Sequence, residues 1–281
     1  IYNTTLRRQK QLPTIELFLA NVRVATAIIR KYGYDSLEIC LSEADPDSWA
    51  AGGRYDNFNL NFRNTEYFAS YVACSYERLY ELAEELGMDL RPLAWTFAFD
   101  WERLFEGMRT FTTRGVDKAV FNLFKLYARL GSERVAARVD GPVRDPEGTY
   151  AGVWAFWADA PGSGKNETLQ VCLVRHHDDW DVDRDALARL RVEGLPAEGA
   201  VEVRRFRIDQ AHSNPYAEWL RQGRPDYPAP QVYEAIKRRD GLEEMPTLRC
   251  EVSDGILTLD TLLPSHAVEL LEIRPVSSPL E

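Results

Sequence analysis

Residues 36–49 read Ser-Leu-Glu-Ile-Cys-Leu-Ser-Glu-Ala-Asp-Pro-Asp-Ser-Trp, and their reading decides the fold. Leu37, Ile39 and Leu41 alternate with Glu38, Cys40 and Ser42, the pattern of a buried strand. The run stops at Glu43, and the turn-forming cluster Ala44-Asp45-Pro46-Asp47-Ser48 follows at once. A carboxylate at the C-terminal end of a strand, just before a turn, is where a (β/α)8 barrel carries its chemistry. A solvated acid at a strand end is the plainer alternative, so the neighbouring segments have to decide.

Upstream, Thr14 is suited to cap a helix whose apolar residues recur at helical spacing: Ile15, Phe18, Leu19, Val22, Ala25, Ile28 and Ile29, ended by Gly33. Downstream, residues 45–63 form a long polar loop containing Gly52-Gly53-Arg54, with Trp49, Tyr55 and Phe58 available to stack on sugars or to pin the loop. Asn64 or Thr65 then caps a second helix, 66–86, closed by Gly87. Its stripe is Phe68, Tyr71, Val72, Ser75, Leu79 and Leu82. The run Leu-Arg-Pro-Leu-Ala-Trp-Thr-Phe-Ala-Phe, 90–99, reads as a strand covered on both faces and ends in Asp100-Trp101-Glu102. Residues 107–115 read as a linker and 116–130 as a third helix, stopped by Gly131. Helix, strand, helix, strand, helix is the pattern of the last quarter of a (β/α)8 barrel.

After Gly131 short β-rich runs alternate with Gly, Pro and Asp turns, at 134–139, 150–158, 167–175, 200–208, 248–253, 255–262 and 267–274. These predict an antiparallel β-sandwich, with a hairpin loop at Pro161-Gly162-Ser163-Gly164. The fold class is thus α/β plus β. The expected division is 1–131, the barrel part, and 132–281, the sandwich, with a loop-and-helix strap at 209–242 returning toward the barrel.

Composition narrows the function classes. The 281 residues carry a formal charge of −10, which argues against a nucleic-acid surface. No apolar run is long enough to span a bilayer. Cys40, Cys74, Cys172 and Cys250 are widely spaced, with no CxxC pair, so neither a zinc site nor a disulfide framework is expected. The unpaired cysteines favour a cytoplasmic setting. His176-His177-Asp178-Asp179 looks like metal bait, but neighbouring residues of a strand point to opposite faces. No metal or cofactor is expected, His212 is expected to anchor a turn, and a homo-oligomer is left open.

Two motifs carry a family resemblance: Ser42-Glu43-Ala44-Asp45-Pro46, and Arg207-Ile208-Asp209-Gln210-Ala211-His212-Ser213-Asn214 continuing to Trp219 and Gly223-Arg224-Pro225. In this order, and with the Trp-Thr-Phe strand between them, the chain resembles glycoside hydrolase family 39 from about Thr14 to Arg274. That family contains β-xylosidases and α-L-iduronidase. The resemblance implies that Glu43 is the nucleophile of a retaining, double-displacement exo-glycosidase, Trp95 the aromatic platform under the sugar, and Glu102 an acceptor for sugar hydroxyls. Asp100 is a weaker candidate for the same role. For Glu102 the alternative is a rim salt bridge with Arg103 or Arg109.

A retaining enzyme needs two carboxyl groups about 5–5.5 Å apart. The family's acid/base lies in an Asn-Glu-Pro segment that has no counterpart here, since Asn166-Glu167 is followed by Thr168 at the start of a strand. The chain is therefore expected to be the C-terminal part of a longer or cleaved enzyme, partnered by the remaining barrel segment. The expected substrate is a β-1,4-xyloside or xylo-oligosaccharide, favoured by His212–Tyr216 and by Arg114-Gly115-Val116-Asp117-Lys118 at a helix entry. An iduronidase-like activity is the alternative, with Arg54 and Arg109 available for a sugar carboxylate. The other is a non-catalytic carbohydrate-binding or assembly fragment using Trp154, Trp157 and Trp180.

Overall fold

The computed structural model describes residues 10, 12–46, 53–96, 102–159, 166–195 and 198–276. Helix α1 spans Ile15–Lys31, and the Thr14 hydroxyl accepts the Leu17 N–H at 3.3 Å. Strand β1 (Ile39–Leu41) follows, then a 3-10 helix (Phe58–Asn64) and α2 (Glu66–Leu86). Thr65 caps α2, and Gly87 closes it in the left-handed region that a side chain resists. Strand β2 (Leu90–Pro92) lies parallel to β1, with Ile39 opposite Leu90, so α2 is the crossover of a βαβ unit.

Two expectations need correction here. The strands read as 36–42 and 90–99 each form only a three-residue ladder, and Leu37, Leu93 and Trp95 are exposed rather than buried. Among the described residues β1 and β2 have only each other as strand partners, so the ladder does not extend past their common stretch. Likewise Ala25 and Ile28 face solvent. Leu17, Val24 and Ile28 form one exposed apolar face of α1, while Ile15 and Val22 are buried.

The third helix starts later than expected. Val116–Asp117 form strand β4, paired in a hairpin with β3 (Thr112–Thr113), and α3 covers Ala119–Tyr127. The type I′-like turn, Arg114 at φ 48° and Gly115 at φ 80°, takes those residues out of the helix.

The remaining strands are β5 (Glu133–Val135), β6 (Thr149–Asp159), β7 (Asn166–His177), β8 (Ala186–Glu193), β9 (Glu198–Ile208), β10 (Glu243–Ser253), β11 (Ile256–Leu263) and β12 (Ala267–Pro275). They form one hydrogen-bonded antiparallel sheet in the order β5-β6-β7-β12-β9-β10-β11-β8. The expected sandwich is therefore built by curling one sheet. β10 and β11 share a single paired position, Ser253 with Ile256, and beyond it β11 leaves to pair along β8. Val192, Leu257, Leu259 and Leu263 from β8 and β11 then pack with Val171, Val203, Leu271 and Ile273 of the long strands. The opposite face, with Trp154, Cys172, Val174, Phe206 and Leu270, packs on α2 and α3. Between β9 and β10 lie α4 (Pro215–Arg221) and α5 (Pro230–Lys237). Tyr216, Trp219 and Ile236 of these helices pack on Leu104, Phe105 and Val116.

The α2–sheet contact contains three buried ionisable groups. Glu77 of α2 accepts the Val153 N–H of β6 at 2.9 Å, and burial pushes its carboxyl up to about 7. His176 is fully buried, with Nδ1 2.9 Å from the Ser70 hydroxyl, and its ring packs among those of Tyr67, Tyr71 and His266. Burial holds His176 well below the usual histidine range and His266 down to about 3. A folded pKa below the unfolded value means that the unfolded chain takes up protons first, so these histidines destabilise the fold as pH falls below about 6.5. Glu77 acts oppositely, stabilising at low pH and losing that contribution between about 4.5 and 7. Because the terms oppose, the expected result is a double difference. His266→Gln lowers the melting temperature at pH 7.5, and at pH 5 the gap to the wild type narrows by about 2 kcal/mol, the cost of about 1.5 pK units that the variant no longer carries. An unchanged gap in denaturant titrations at the two pH values contradicts this assignment.

Candidate active site

Glu43 stands two residues beyond β1. The Ala44 N–H donates to the Leu93 carbonyl at 2.8 Å, tying the turn to the residue after β2. The Glu43 side chain is 50% exposed, and its Oε2 lies 3.1 Å from Nη1 of Arg109. The same nitrogen is 2.9 Å from Asp45 Oδ2. Asp45 is only 1% exposed, and its other oxygen lies 3.7 Å from Nη1 of Arg63, which is itself 1% exposed. Arg109 is stacked over the Trp95 ring at 4.9 Å, and the Thr96 hydroxyl donates to the Arg109 carbonyl at 3.1 Å. A buried carboxylate and two buried guanidiniums thus form a fixed base from which the Glu43 carboxylate emerges into solvent beside an exposed indole. Such a carboxylate is held in place by a charge-assisted bond while half of its side chain stays exposed.

Glu102 occupies different surroundings. Its Oε2 is buried against the Gly107 backbone, 2.3 Å from where a side chain on that glycine would begin. Burial raises its carboxyl, opposed by the charge of Lys118. Lys118 is fully buried, donates to the Gly107 carbonyl at 2.5 Å, and is lowered by burial to about 7. The rim salt bridge that was the alternative for Glu102 is not formed among the described residues: Arg103 turns to Asp226, and Arg109 meets Glu43 and Asp45. The structure therefore brings Glu43 and Trp95 together through Arg109 and places Glu102 beside Lys118. Asp100 and Trp49 lie outside the described residues, as does the Phe58 side chain.

Arg63 and the buried role of Asp45 were missed by sequence reasoning. Asp45 belongs to the quoted motif, and an acid before a proline at a strand end was the available signal. Arg63 sits in a loop whose sequence gives no periodicity, so nothing marked it as buried. The Trp residues of the rival binding reading are engaged in packing. Trp154 is buried against Tyr127, Trp157 is half-buried in the sheet core, and Trp180 stacks on Phe62 at 5.3 Å. His212 anchors a turn, as expected, with Nδ1 2.8 Å from Asp209 Oδ1. Among the described residues no cluster of three metal-ligating side chains occurs, and no helix is long and apolar enough to cross a membrane.

Comparison with known proteins gives the family of the chain. The family model of glycosyl hydrolases family 39 matches residues 96–249, more than half of the chain. A β-xylosidase from Geobacillus stearothermophilus is 24% identical over 193 residues, covering 65% of this chain and 33% of that protein. A solved bacterial orthologue of human α-L-iduronidase superposes with a TM-score of 0.75 at 16% identity, over 95% of this chain and 47% of its own. A monomeric β-xylosidase from Caulobacter crescentus CB15 gives 0.69 at 13% identity, over 94% of this chain and 51% of its own. The chain thus spans about half the length of these structures, or less of the curated relative. With the family model matched over more than half of the chain, across α3 and the strands β6 to β9, the chain belongs to glycosyl hydrolases family 39.

Proposed function

We propose that this chain carries the nucleophile half of a retaining exo-glycosidase of β-xylosidase type. The observation that supports it most is the Glu43–Arg109–Asp45 arrangement under the Trp95 ring. In this reading Glu43 attacks the anomeric carbon and forms the glycosyl-enzyme, while Trp95 stacks on the apolar face of the sugar. Glu102 and Asp100 are assigned to sugar hydroxyls, and for Glu102 the adjoining Lys118 supplies the counter-charge. The acid/base is assigned to a barrel segment beyond this chain. A panel of nitrophenyl glycosides, assayed with the complete enzyme, tests the reading: the β-xyloside is the best substrate, with retained configuration in the first-formed product. Preferential cleavage of the α-L-iduronide would move the assignment to the second reading.

In the same reading β1 and β2 are two strands of a (β/α)8 barrel, and the remaining barrel covers their outer edges and the exposed face of α1. Leu17, Val24 and Ile28 on that helix, with Leu37 and Leu93 beside the strands, are the surface it would bury. Burying one such aliphatic side chain contributes about 1.5–3 kcal/mol. Val24→Asp is therefore expected to destabilise the complete enzyme by at least about 2 kcal/mol in urea titrations. A neutral result would show that this face stays open to water.

A further inference from the structure

A second cluster lies on the rim that carries Arg109. Gly53 forms a β-bridge to Gly107, and the Arg54 N–H donates to the Glu106 carbonyl at 3.0 Å. This brings the loop after Glu43 against the segment after β2, two residues before Arg109. There Tyr55 and Tyr227 are 56% and 65% exposed, far more than packing rings usually are. Arg103 lies over the Tyr55 ring at 4.7 Å and within reach of the Tyr227 hydroxyl, and Arg114 lies over Tyr227 at 5.6 Å.

Charge in this cluster is unevenly matched. Asp226 accepts the Tyr55 hydroxyl at 2.8 and 3.0 Å, pairs with Arg54, and lies 3.5 Å from Arg103. Glu106 turns its Oε2 to the backbone N–H of Arg103 at 2.8 Å. Arg114 donates only to the Glu102 carbonyl, at 3.3 Å, and has no carboxylate partner among the described residues. It also occupies a costly position. At φ 48° in the β3–β4 hairpin, it stands where Asn, Asp or Gly is preferred. The tip is held from behind by the Tyr233 hydroxyl on the Arg114 carbonyl at 2.9 Å and by Lys237 on that of Gly115. A strained, exposed arginine on a pinned hairpin, stacked on an exposed tyrosine, is a preorganised fork for an anion.

We propose that Arg114 and Arg103, with the Tyr55 and Tyr227 rings, form a leaving-group subsite for a sugar bearing a carboxylate, a uronic-acid unit of the glycan beyond the scissile bond. The rings stack on the sugar faces, and the guanidiniums take the carboxylate. This deepens the glycosidase reading and rests on it for the position of the scissile bond.

The test uses the complete enzyme and two xylo-oligosaccharides of equal length, one neutral and one with a glucuronic acid branch on the leaving-group side. The wild type favours the acidic substrate in kcat/KM. Arg114→Gly removes the side chain and the backbone strain together, so the fold is kept, and the acidic-to-neutral ratio falls several-fold. Arg103→Gln combined with Arg114→Gly lowers it about tenfold, the scale of a lost charge-assisted pair. An unchanged ratio, with neutral cleavage intact, overturns the subsite alone. Should neither oligosaccharide nor the nitrophenyl xyloside be cleaved, the glycosidase reading falls. Titration of Tyr and Trp fluorescence with the acidic oligosaccharide then still decides the subsite: saturable binding lost in Arg114→Gly supports it, and equal binding by both proteins overturns it.

Discussion

Glu43→Gln in the complete enzyme is expected to lower turnover by several orders of magnitude while leaving substrate affinity nearly intact. The amide keeps the shape of the carboxylate and can still meet Arg109 Nη1, but it lacks the charged oxygen that the proposed function assigns to attack on the anomeric carbon. The loss therefore falls on kcat, as for a group needed in the transition state. Azide added to Glu43→Ala restores partial cleavage, because a small anion can enter the vacated space, and the product is a glycosyl azide of inverted configuration. Glu102→Gln gives weaker binding and partial activity, with no azide rescue, since that carboxyl faces Lys118 and the Gly107 turn. Near-normal turnover by Glu43→Gln on the best substrate would remove the basis of the proposed function.

The second large effect is on stability. Gly131→Ala is expected to cost more than about 3 kcal/mol, at the upper end for overpacking. A Cβ at this position would stand 1.9 Å from the Trp157 carbonyl oxygen and 2.7 Å from its carbon. Both atoms belong to β6 backbone, so no rotamer change relieves the clash. Nor can the turn shift freely. The Gly131 N–H donates to Gln170 Oε1 at 2.8 Å, the same amide donates to the Arg129 carbonyl at 2.8 Å, and Arg129 forks onto Glu272 at 2.9–3.1 Å. The melting temperature should fall by roughly 10 °C, at about 2–4 °C per kcal/mol for a protein of this size. Gly241→Ala is the control: a Cβ there meets nothing within 4 Å, and the melting temperature stays within about 2 °C. Equal behaviour of the two variants would contradict the packing argument.

Much of the local structure was legible because the signals were backbone-driven. Gly87 closes α2 as read from sequence and Thr65, one of the two caps named with Asn64, opens it, since a cap hydroxyl and a left-handed glycine act locally. The pattern failed where tertiary partners decide. Strand β8, Ala-Leu-Ala-Arg-Leu-Arg-Val-Glu, was not foreseen, because alanine, leucine and arginine favour helix, yet its alternating burial follows from pairing along β11. Arg114 and Gly115 were read as linker, and Val116-Asp117, the returning strand of their hairpin, was absorbed into the predicted third helix, as Val116 and the residues after it continue an apolar run. At the candidate site, Glu43 was singled out by its place after a strand and Trp95 by the family resemblance, and the structure links the two through Arg109. Arg63, 46 residues from Arg109 in sequence, could not be singled out, because its significance lies in sharing Asp45 across the fold.

Glu77 sets a condition on recombination. Its Oε2 lies 1.8 Å from where a Cβ on Gly152 would be, and its Oε1 takes the next backbone N–H of β6. The helix side chain thus keys into a notch one residue wide in the middle of the longest part of the sheet. A chimera that joins the α1–α3 segment to the β-sheet of a distant relative will therefore keep the Glu77–Val153 bond only if the graft brings a glycine at position 152. Any larger residue there displaces the Glu77 carboxylate and leaves the Val153 N–H without that acceptor.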